Sequence, residues 1–482
     1  MRLLFVFQDP GRVRYFERPL SLMATRGHDL HVLVESSRER IPEQLSFIRE
    51  LAARHENVTL HEAAKRKSDR AGAARALRTS LDYLHYLQPA FDASPDFRAR
   101  ARDAAPGAVA RLARVRPLRR ALRRVLDATE RALPIRPDVL AVLDDLQPDV
   151  VLVTPYVWFA APQTDWVRAA KRRGIHSVAC MFSWDNLTSK GSLREVPELM
   201  TVWNAAQREE AHALHGVPRD RIVLTGAQNW DHWFDWEPTT DRAAFCAEVG
   251  LDPSRPFVVW LESSGYVGGE ERFLDEWLTH LRARGGERTR DAGVLVRPHP
   301  QISAERWGTA ELERFGNVAV WPRDGEVPLD GPSRSRFFDT LYHCAAVVGV
   351  NTSAFIESAI VGRPCLTLTL AAERFPHGTV NTVHFRHLLD RNGGPLIVAS
   401  SFQEHLDQLE AAVADPARAA EQGNRFVEQF VRPHGRDVAA APRVVEAVEA
   451  LAAAPAPAPQ PNPPVVAHAL AAIALRLTVA RP

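Results

Sequence analysis

Residues 347–366, VVGVNTSAFIESAIVGRPCL, join an apolar run to a polar turn, a helical pattern and a second apolar run. The first run stops at Asn351. Asn351, Thr352 and Ser353 can each cap a helix and bind an oxyanion through a side chain or a backbone N–H. Glu357 follows Ser353 by four residues, so both project from one face of the helix. The spacing is compatible with a phosphate at the turn and a ribose hydroxyl on the acid.

The same alternation of apolar runs and helical patterns fills most of the 482 residues. The predicted strands are 2–7, 27–34, 149–154, 175–182, 199–203 and 221–226 in the first half, and 256–262, 293–300, 317–321, 345–350, 365–370 and 395–400 in the second. Two series of this kind predict an α/β protein with two parallel sheets, each covered by helices.

Changes in composition divide the chain. The stretch 64–146 is rich in Ala, Arg and Leu and is predicted as a helical insert in the first domain. The aromatic stretch 227–242 has no clear period and is predicted as the connection between domains. We expect a first domain at 1–235, a second at 236–451, and a stiff Pro/Ala linker with a short apolar tail at 452–482.

The overall charge excludes some classes of partner. The 60 basic and 59 acidic residues leave a net charge of +1, so no global field attracts nucleic acid. The insert is the exception, because ten arginines between 98 and 124 are opposed there only by Asp103. A solvated helix face and a contact with anionic lipid both account for them, so peripheral contact with the inner face of a membrane stays open.

The remaining bulk features are those of a cytoplasmic protein. The four cysteines lie far apart without a CxxC pair, which indicates reduced thiols in place of a disulfide framework. The apolar run at 2–7 is too short for a signal peptide and is predicted as the first strand. The sequence does not indicate an oligomeric state.

Two further loops of the second half follow predicted strands. In ESSGYVGGEE, the small residues Ser263, Ser264 and Gly265 allow backbone N–H groups to approach a phosphate, although a tight turn without function has the same composition. In VLVRPHPQ, Arg297 and His299 lie at a strand end, and flanking prolines fix the backbone of the imidazole. Since carboxyl ends of parallel strands line the ligand crevice, both loops are predicted to bind a nucleotide donor.

In the first half, the loop MFSWDNLTSKGSL contains Asp185, Asn186 and Lys190. We predict that Asp185 acts as a general base on an acceptor hydroxyl and that Lys190 neutralises a leaving phosphate, with ordinary turn chemistry as the alternative for Asp185. Asp9 and Arg12 follow the first strand and are rivals for the same acceptor site.

Several familiar motifs are missing from the sequence. It contains no GxGxxG, GxxxxGK[ST], HExxH or GxSxG motif. A DxD pair of the kind found in metal-dependent sugar transferases is also missing, and Asp144-Asp145 falls at the end of a predicted helix. The sequence therefore predicts neither a metal nor a cofactor, only a nucleotide-activated substrate.

The segment LYHCAAVVGVNTSAFIESAIVGRPCLTL resembles the donor site of GT-B glycosyltransferases and UDP-N-acetylglucosamine 2-epimerases. The RPHP element is similar to one in CDP-glycerol glycerophosphotransferases and in bacterial sialyl- and Kdo-transferases, and SWDNLTSKG resembles a loop of bacterial surface-carbohydrate proteins. The resemblance implies two Rossmann-like domains facing a central cleft, the acceptor on the first and the donor on the second. It also implies that Thr352, Ser353 and His299 bind the donor phosphates and that Glu357 holds the ribose.

The function that follows is metal-independent transfer of a sugar, or a related phospho-alcohol, from a nucleotide donor to a hydroxyl acceptor, with His299 assisting departure of the phosphate. The resemblance implies a reaction in the synthesis of a bacterial-type surface glycan or glycoconjugate, and a lipid-linked acceptor stays open. A nucleotide-sugar 2-epimerase and a non-catalytic nucleotide-sugar-binding protein are the alternatives.

Overall fold

The computed structural model describes residues 1–36, 44–62, 71–263, 267, 269–300, 307, 312–328, 330–370, 382–389 and 393–461. The chain folds as two compact units. Unit 1 comprises Met1–Asp231, Arg432–His434 and the described chain from Val438 onward, and unit 2 comprises His232–Val431 and Gly435–Asp437. The change of unit at Asp231 falls inside the aromatic stretch predicted as the connection, four residues before the predicted boundary.

The sheet of unit 1 has seven parallel strands within the described residues, in the order β3-β2-β1-β4-β5-β6-β7. The strands are β1 (Arg2–Phe7), β2 (Asp29–Val34), β3 (Val58–Glu62), β4 (Val150–Thr154), β5 (His176–Cys180), β6 (Leu199–Val202) and β7 (Ile222–Leu224). β1 lies between β2 and β4, with Leu3 opposite both Leu30 and Val150. The central strands are almost continuously apolar because helices cover both faces of the sheet.

The helices of unit 1 that precede α17 either cover the sheet or form the insert. They are α1 (Glu17–Thr25), α2 (Ser46–Arg54), α3 (Ala71–Tyr86), α4 (Pro95–Ala104), α5 (Gly107–Leu112), α6 (Arg116–Ala132), α7 (Pro137–Leu146), α8 (Thr164–Arg173), α9 (Asn186–Ser189) and α10 (Ala205–His215). Alternate residues of β1 enter different cores, Phe5 on the side of α1 and α2 and Val6 on the side of α7 and α8. Both cores are therefore anchored on the same strand.

The insert between β3 and β4 contains α3 to α7, and α3 is its buried member. Arg78 of α3 donates to Glu130 of α6 at 3.0 Å and to Asp165 of α8 at 2.7 Å. All three side chains are buried, so this network fixes the insert to the body of unit 1.

The sheet of unit 2 has six parallel strands within the described residues, in the order β10-β9-β8-β11-β12-β13. They are β8 (Phe257–Leu261), β9 (Gly293–Arg297), β10 (Val318–Val320), β11 (Ala346–Gly349), β12 (Cys365–Leu368) and β13 (Leu396–Ala399). The helices are α11 (Arg242–Val249), α12 (Glu270–Arg284), α13 (Gly331–His343), α14 (Ala354–Ile360), α15 (Phe402–Ala414) and α16 (Pro416–Phe426). Numbered within the unit, this is the 3-2-1-4-5-6 order of nucleotide-binding folds.

The last helix, α17 (Ala440–Ala453), corrects one expectation. The sequence predicts a second domain at 236–451, but the helical chain after α16 breaks near Pro433 and Gly435, and α17 packs on unit 1. Val445 and Val448 enter the same core as Phe5. The buried carboxylate of Asp231 accepts the backbone N–H groups of Ala440 and Ala441 at 2.9 and 2.7 Å, which fixes the start of the helix.

The described chain beyond α17 forms neither helix nor strand up to Pro461. It lies on unit 1, where the Gln460 N–H donates to the Lys171 carbonyl at 2.9 Å. This segment passes so close to Gly174 (φ +65°) that a Cβ added there would lie 2.7 Å from the Pro457 carbonyl oxygen. None of the helices in the described ranges is long and apolar enough to cross a membrane.

Candidate functional site

The strand order places the candidate donor loops at a switch point in unit 2. β8 and β11 are adjacent, and their connections lead away from each other, to β9 and to β12. Since such crossovers are right-handed, the two connections lie on opposite faces of the sheet. Ligands of open α/β sheets bind at this position. Ser263 follows β8 and Asn351 follows β11, while His299 follows β9, the other neighbour of β8. Three predicted donor loops are thus adjacent; Ser264 and Gly265 of the first lie outside the described residues.

The two switch-point loops are joined directly. The backbone N–H of Asn351 donates to the Ser263 hydroxyl at 2.9 Å, and Ser263 is fully buried. Gly349, two residues earlier, allows the strands to approach, because a Cβ there would lie 2.8 Å from the Leu261 carbonyl oxygen. Ser263 therefore holds the turn at Asn351 in position.

His299 is held by a carboxylate that the sequence analysis did not single out. The buried side chain of Glu262 accepts the His299 backbone N–H at 2.9 Å and the Trp307 indole N–H at 2.8 Å. Burial lowers the pKa of His299 below its ordinary value of 6.5, so the imidazole is neutral at neutral pH. A neutral imidazole can still donate one ring N–H to a phosphate oxygen.

Arg297 is placed differently from the other candidates. Its side chain is buried against α13, with the guanidinium 4.7 Å from the Phe337 ring centre and 3.8 Å from the Glu326 carboxylate. Burial lowers the pKa of Arg297 to about 10. These contacts give Arg297 a structural role between β9 and α13, and donor binding by it stays a prediction.

The turn after β11 has the predicted strand–turn–helix form. Thr352 accepts the Ala354 N–H at 3.3 Å through its hydroxyl, and Ser353, at the N-cap of α14, is exposed. Glu357 is half-buried one turn inside the helix, on the side of Ser353. The helix ends at Ile360, and Gly362 (φ +77°) follows in a left-handed conformation, as the Gly-Arg-Pro triplet predicts.

A second buried carboxylate, Glu270, begins α12. It accepts the Trp260 indole N–H and the Ser263 backbone N–H, both at 3.0 Å. Burial, and to a lesser extent the nearby charge of Glu262, raises the pKa of Glu270 to about 7. Donors on both oxygens favour the charged form, but the loss of hydration outweighs them.

In unit 1, the candidate acceptor residues meet around an aromatic ring that sequence analysis missed. The guanidinium of Arg12 lies 4.6 Å from the Trp158 ring centre, and the Lys190 ammonium lies 5.6 Å from it. Arg12 pairs with Asp9 at 3.2 Å, and Lys190 pairs with Asp185 at 2.9 Å. These residues follow β1, β4 and β5, which are neighbours in the sheet. The aromatic run PYVWF after β4 was the available signal for Trp158.

Asp185 and Asn186 mainly hold their own loop. The Asp185 carboxylate accepts the hydroxyls of Ser183 and Ser189 at 2.5 and 2.7 Å, in addition to the Lys190 contact. Asn186 is fully buried and accepts the backbone N–H groups of Phe182 and Ser183. The contacts of Asp185 match the turn-chemistry alternative, and its assignment as general base stays a prediction.

Asp82 of α3 anchors the loops that carry this cluster. Its buried carboxylate accepts the backbone N–H groups of Ala160 and Ser192, both at 2.8 Å, and pairs with buried Arg194 at 2.6 Å. Ala160 has a left-handed backbone (φ +51°), which costs about 1 kcal/mol or more in a residue other than glycine. The insert is therefore part of the construction of the site.

No family model and no curated protein matches this sequence. Among solved structures, the chain is similar to the UDP-GlcNAc 2-epimerase of Neisseria meningitidis bound to UDP-GlcNAc (12% identity, TM-score 0.54, covering 93% of this chain and 100% of that one). It is also similar to the UDP-GlcNAc 2-epimerase of Methanocaldococcus jannaschii (12% identity, TM-score 0.52, covering 93% of this chain and 100% of that one). A glycosyltransferase of Rickettsia africae is similar as well (10% identity, TM-score 0.52, covering 93% of this chain and 98% of that one).

At these identities, the similarity concerns the fold. The chain has the GT-B fold of two Rossmann-like units, which confirms the fold expected from its donor-site segment. Within the described ranges, no group of three or more His, Cys, Asp or Glu side chains is arranged to hold a metal ion.

Asp82 provides a test of how the acceptor loops are held. We expect Asp82→Ala to lower the free energy of unfolding by about 3–5 kcal/mol, because Arg194 and two backbone N–H groups lose their buried partner. Chemical denaturation followed by tryptophan fluorescence measures the change. Asp103→Ala, which removes an exposed carboxylate from α4, is the control and should have little effect. A change below about 1 kcal/mol for Asp82→Ala would contradict the anchoring role.

Glu270 predicts a pH dependence of stability. Because its folded pKa (about 7) lies above the ordinary 4.5, the folded state holds the proton more tightly than the unfolded state. Stability relative to Glu270→Gln should therefore fall by about 3 kcal/mol as pH rises from 4.5 to 7, and change little above that. Unfolding curves across this range test it, with Glu421→Gln on the exposed face of α16 as a charge control. Parallel profiles for wild type and Glu270→Gln would exclude the effect.

Proposed function

We propose that the protein binds a nucleotide-activated sugar on unit 2 and transfers the sugar, or a related phospho-alcohol, to a hydroxyl acceptor on unit 1. The observation that carries the proposal is the linkage of three loops at the carboxyl ends of β9, β8 and β11. Glu262 fixes the backbone at His299, and Ser263 fixes the turn at Asn351. Small polar groups held at a switch point are suited to a diphosphate.

The roles on the donor side follow from chemistry and placement. Thr352, Ser353 and the backbone at Asn351 offer hydroxyl and N–H donors to the phosphates. His299 adds an N–H from a neutral ring, so it acts as a hydrogen-bond donor and not as a cation. The Glu357 carboxylate accepts hydrogen bonds from the ribose hydroxyls. Donors fixed before the reaction stabilise the charge that develops on the leaving nucleotide.

On the acceptor side, Arg12 and Lys190 form a pair of cations around Trp158. A phosphate group on the acceptor would compete with Asp9 and Asp185 for these two cations. A base is needed for the acceptor hydroxyl. Asp185 can act as this base only after its ion pair with Lys190 opens. Asp9, which is paired with Arg12, is the second candidate for the base.

The 2-epimerase alternative is favoured by the similarity in fold, over 93% of this chain, to the Neisseria enzyme solved with UDP-GlcNAc. Incubation with UDP-GlcNAc and no acceptor separates the two activities. Transfer predicts that the hexosamine keeps its configuration at carbon 2, whereas a 2-epimer in the product identifies an epimerase.

The nucleotide site is tested by calorimetry with UDP, GDP, CDP and CMP. We expect one nucleotide to bind selectively, and His299→Ala and Glu357→Ala each to weaken its binding about tenfold, the effect of one lost hydrogen bond. Glu421→Ala, on exposed α16 of the same unit, is the control and should bind as wild type does. Unchanged affinity in both site variants, with the fold intact by circular dichroism, would refute the assignment.

A further inference from the structure

The insert carries an unusual surface. Seven large apolar side chains are exposed among the described residues, and four of them lie within fourteen residues of α5 and α6. Leu112, Val115, Leu118 and Val125 are each 46–54% exposed, and we call them the apolar strip. Isolated exposed apolar residues are ordinary, but a clustered set indicates a contact surface.

The strip continues along one side of α6. Leu118, Ala121, Val125 and Ala128 are separated by three, four and three residues, so they share a helix face, and all four are exposed. A different face, with Leu126 and Glu130, is buried and packs toward α3. The exposed apolar face of α6 is therefore not needed for packing within unit 1, because the helix already packs against α3 through its other face.

Arginines border the strip. Residues 104–126 contain seven arginines and no acidic residue. Arg120 and Arg124 are exposed on α6 beside the apolar face, and Arg111, Arg114 and Arg116 are exposed around the turn between α5 and α6. Asp127 is the nearest acid on the helix, and its carboxylate lies 3.6 Å from the guanidinium of Arg123. The surface is thus apolar along its centre and cationic at its edge.

We propose that this surface docks on a membrane that contains anionic phospholipids, with the apolar strip entering the acyl boundary and the arginines contacting the phosphates. A helix with an apolar face and flanking arginines has the properties of an interfacial helix. Guanidinium groups bind phosphate oxygens in a bidentate geometry. The inference does not depend on the proposed transferase activity.

Two other occupants fit less well. A second copy using the same surface about a two-fold axis would place the arginine edges of the two copies near each other, at an electrostatic cost. Nucleic acid would pair with the arginines but would leave the leucine and valine side chains in water. An anionic lipid surface both pairs with the arginines and buries the leucine and valine side chains.

The test is flotation of the full-length protein with vesicles of phosphatidylcholine alone or mixed with phosphatidylglycerol. We expect binding only to the mixed vesicles, weakening as salt is raised. Leu118→Ser/Val125→Ser should weaken binding at least about tenfold, because two side chains lose their burial in the lipid. Arg120→Glu/Arg124→Glu should abolish the preference for phosphatidylglycerol. All four positions are exposed, so circular dichroism should show an unchanged fold.

Controls come from exposed positions elsewhere. Val438→Ser removes an exposed apolar side chain, and Arg284→Glu/Arg418→Glu reverses two exposed charges on unit 2; both should bind as wild type does. Absence of binding, equal binding to both vesicle types, or wild-type binding by the strip variants would overturn the proposal. Sedimentation velocity showing a dimer that Leu118→Ser/Val125→Ser dissociates, without flotation, would also overturn it, with a second copy as the occupant.

Discussion

Buried carboxylates that accept backbone N–H groups hold the loops at the carboxyl ends of both sheets. A parallel sheet pairs its own backbone but leaves the first N–H groups of each outgoing loop unpaired, and a buried unpaired N–H is costly. Asp82 accepts two such groups in unit 1. Glu262 and Glu270 each accept one in unit 2, at His299 and Ser263. Each anchor binds the backbone of a loop and thereby fixes where the candidate ligand-binding groups of that loop lie.

This arrangement explains why the site residues are of two kinds. Ser263, Asn186 and Arg297 are buried and serve the backbone or the packing around a loop. His299, Ser353 and Glu357 are at least partly exposed on loops that the buried groups hold in place. Fixing donors before a ligand arrives lowers the cost of ordering them on binding. The burial of Glu270, in contrast, lowers the stability of the fold at neutral pH, because its raised pKa means that the charged form is costly there.

Much of the fold could be predicted because parallel strands buried on both faces are continuous apolar runs. β1, at Arg2–Phe7, has the predicted bounds, and β3 was missed because an edge strand such as VTLHE alternates apolar and polar residues and is short. The packing of α17 on unit 1 was also missed, because the sequence of this helix does not indicate which hydrophobic core Val445 and Val448 enter. Candidate ligand residues were found by position after a strand, whereas Asp82 and Trp158 were not, because their partners are distant in the chain.

The proposed nucleotide site lies at the carboxyl ends of β8, β9 and β11. Hydrogen–deuterium exchange of the full-length protein, with and without the nucleotide that binds it best, tests this most directly. We expect slower exchange on nucleotide binding at the amides from Asn351 to Ala354 and at His299, with little change in the loops of unit 1. Protection confined to unit 1, or none in these loops at saturating nucleotide, would contradict the account.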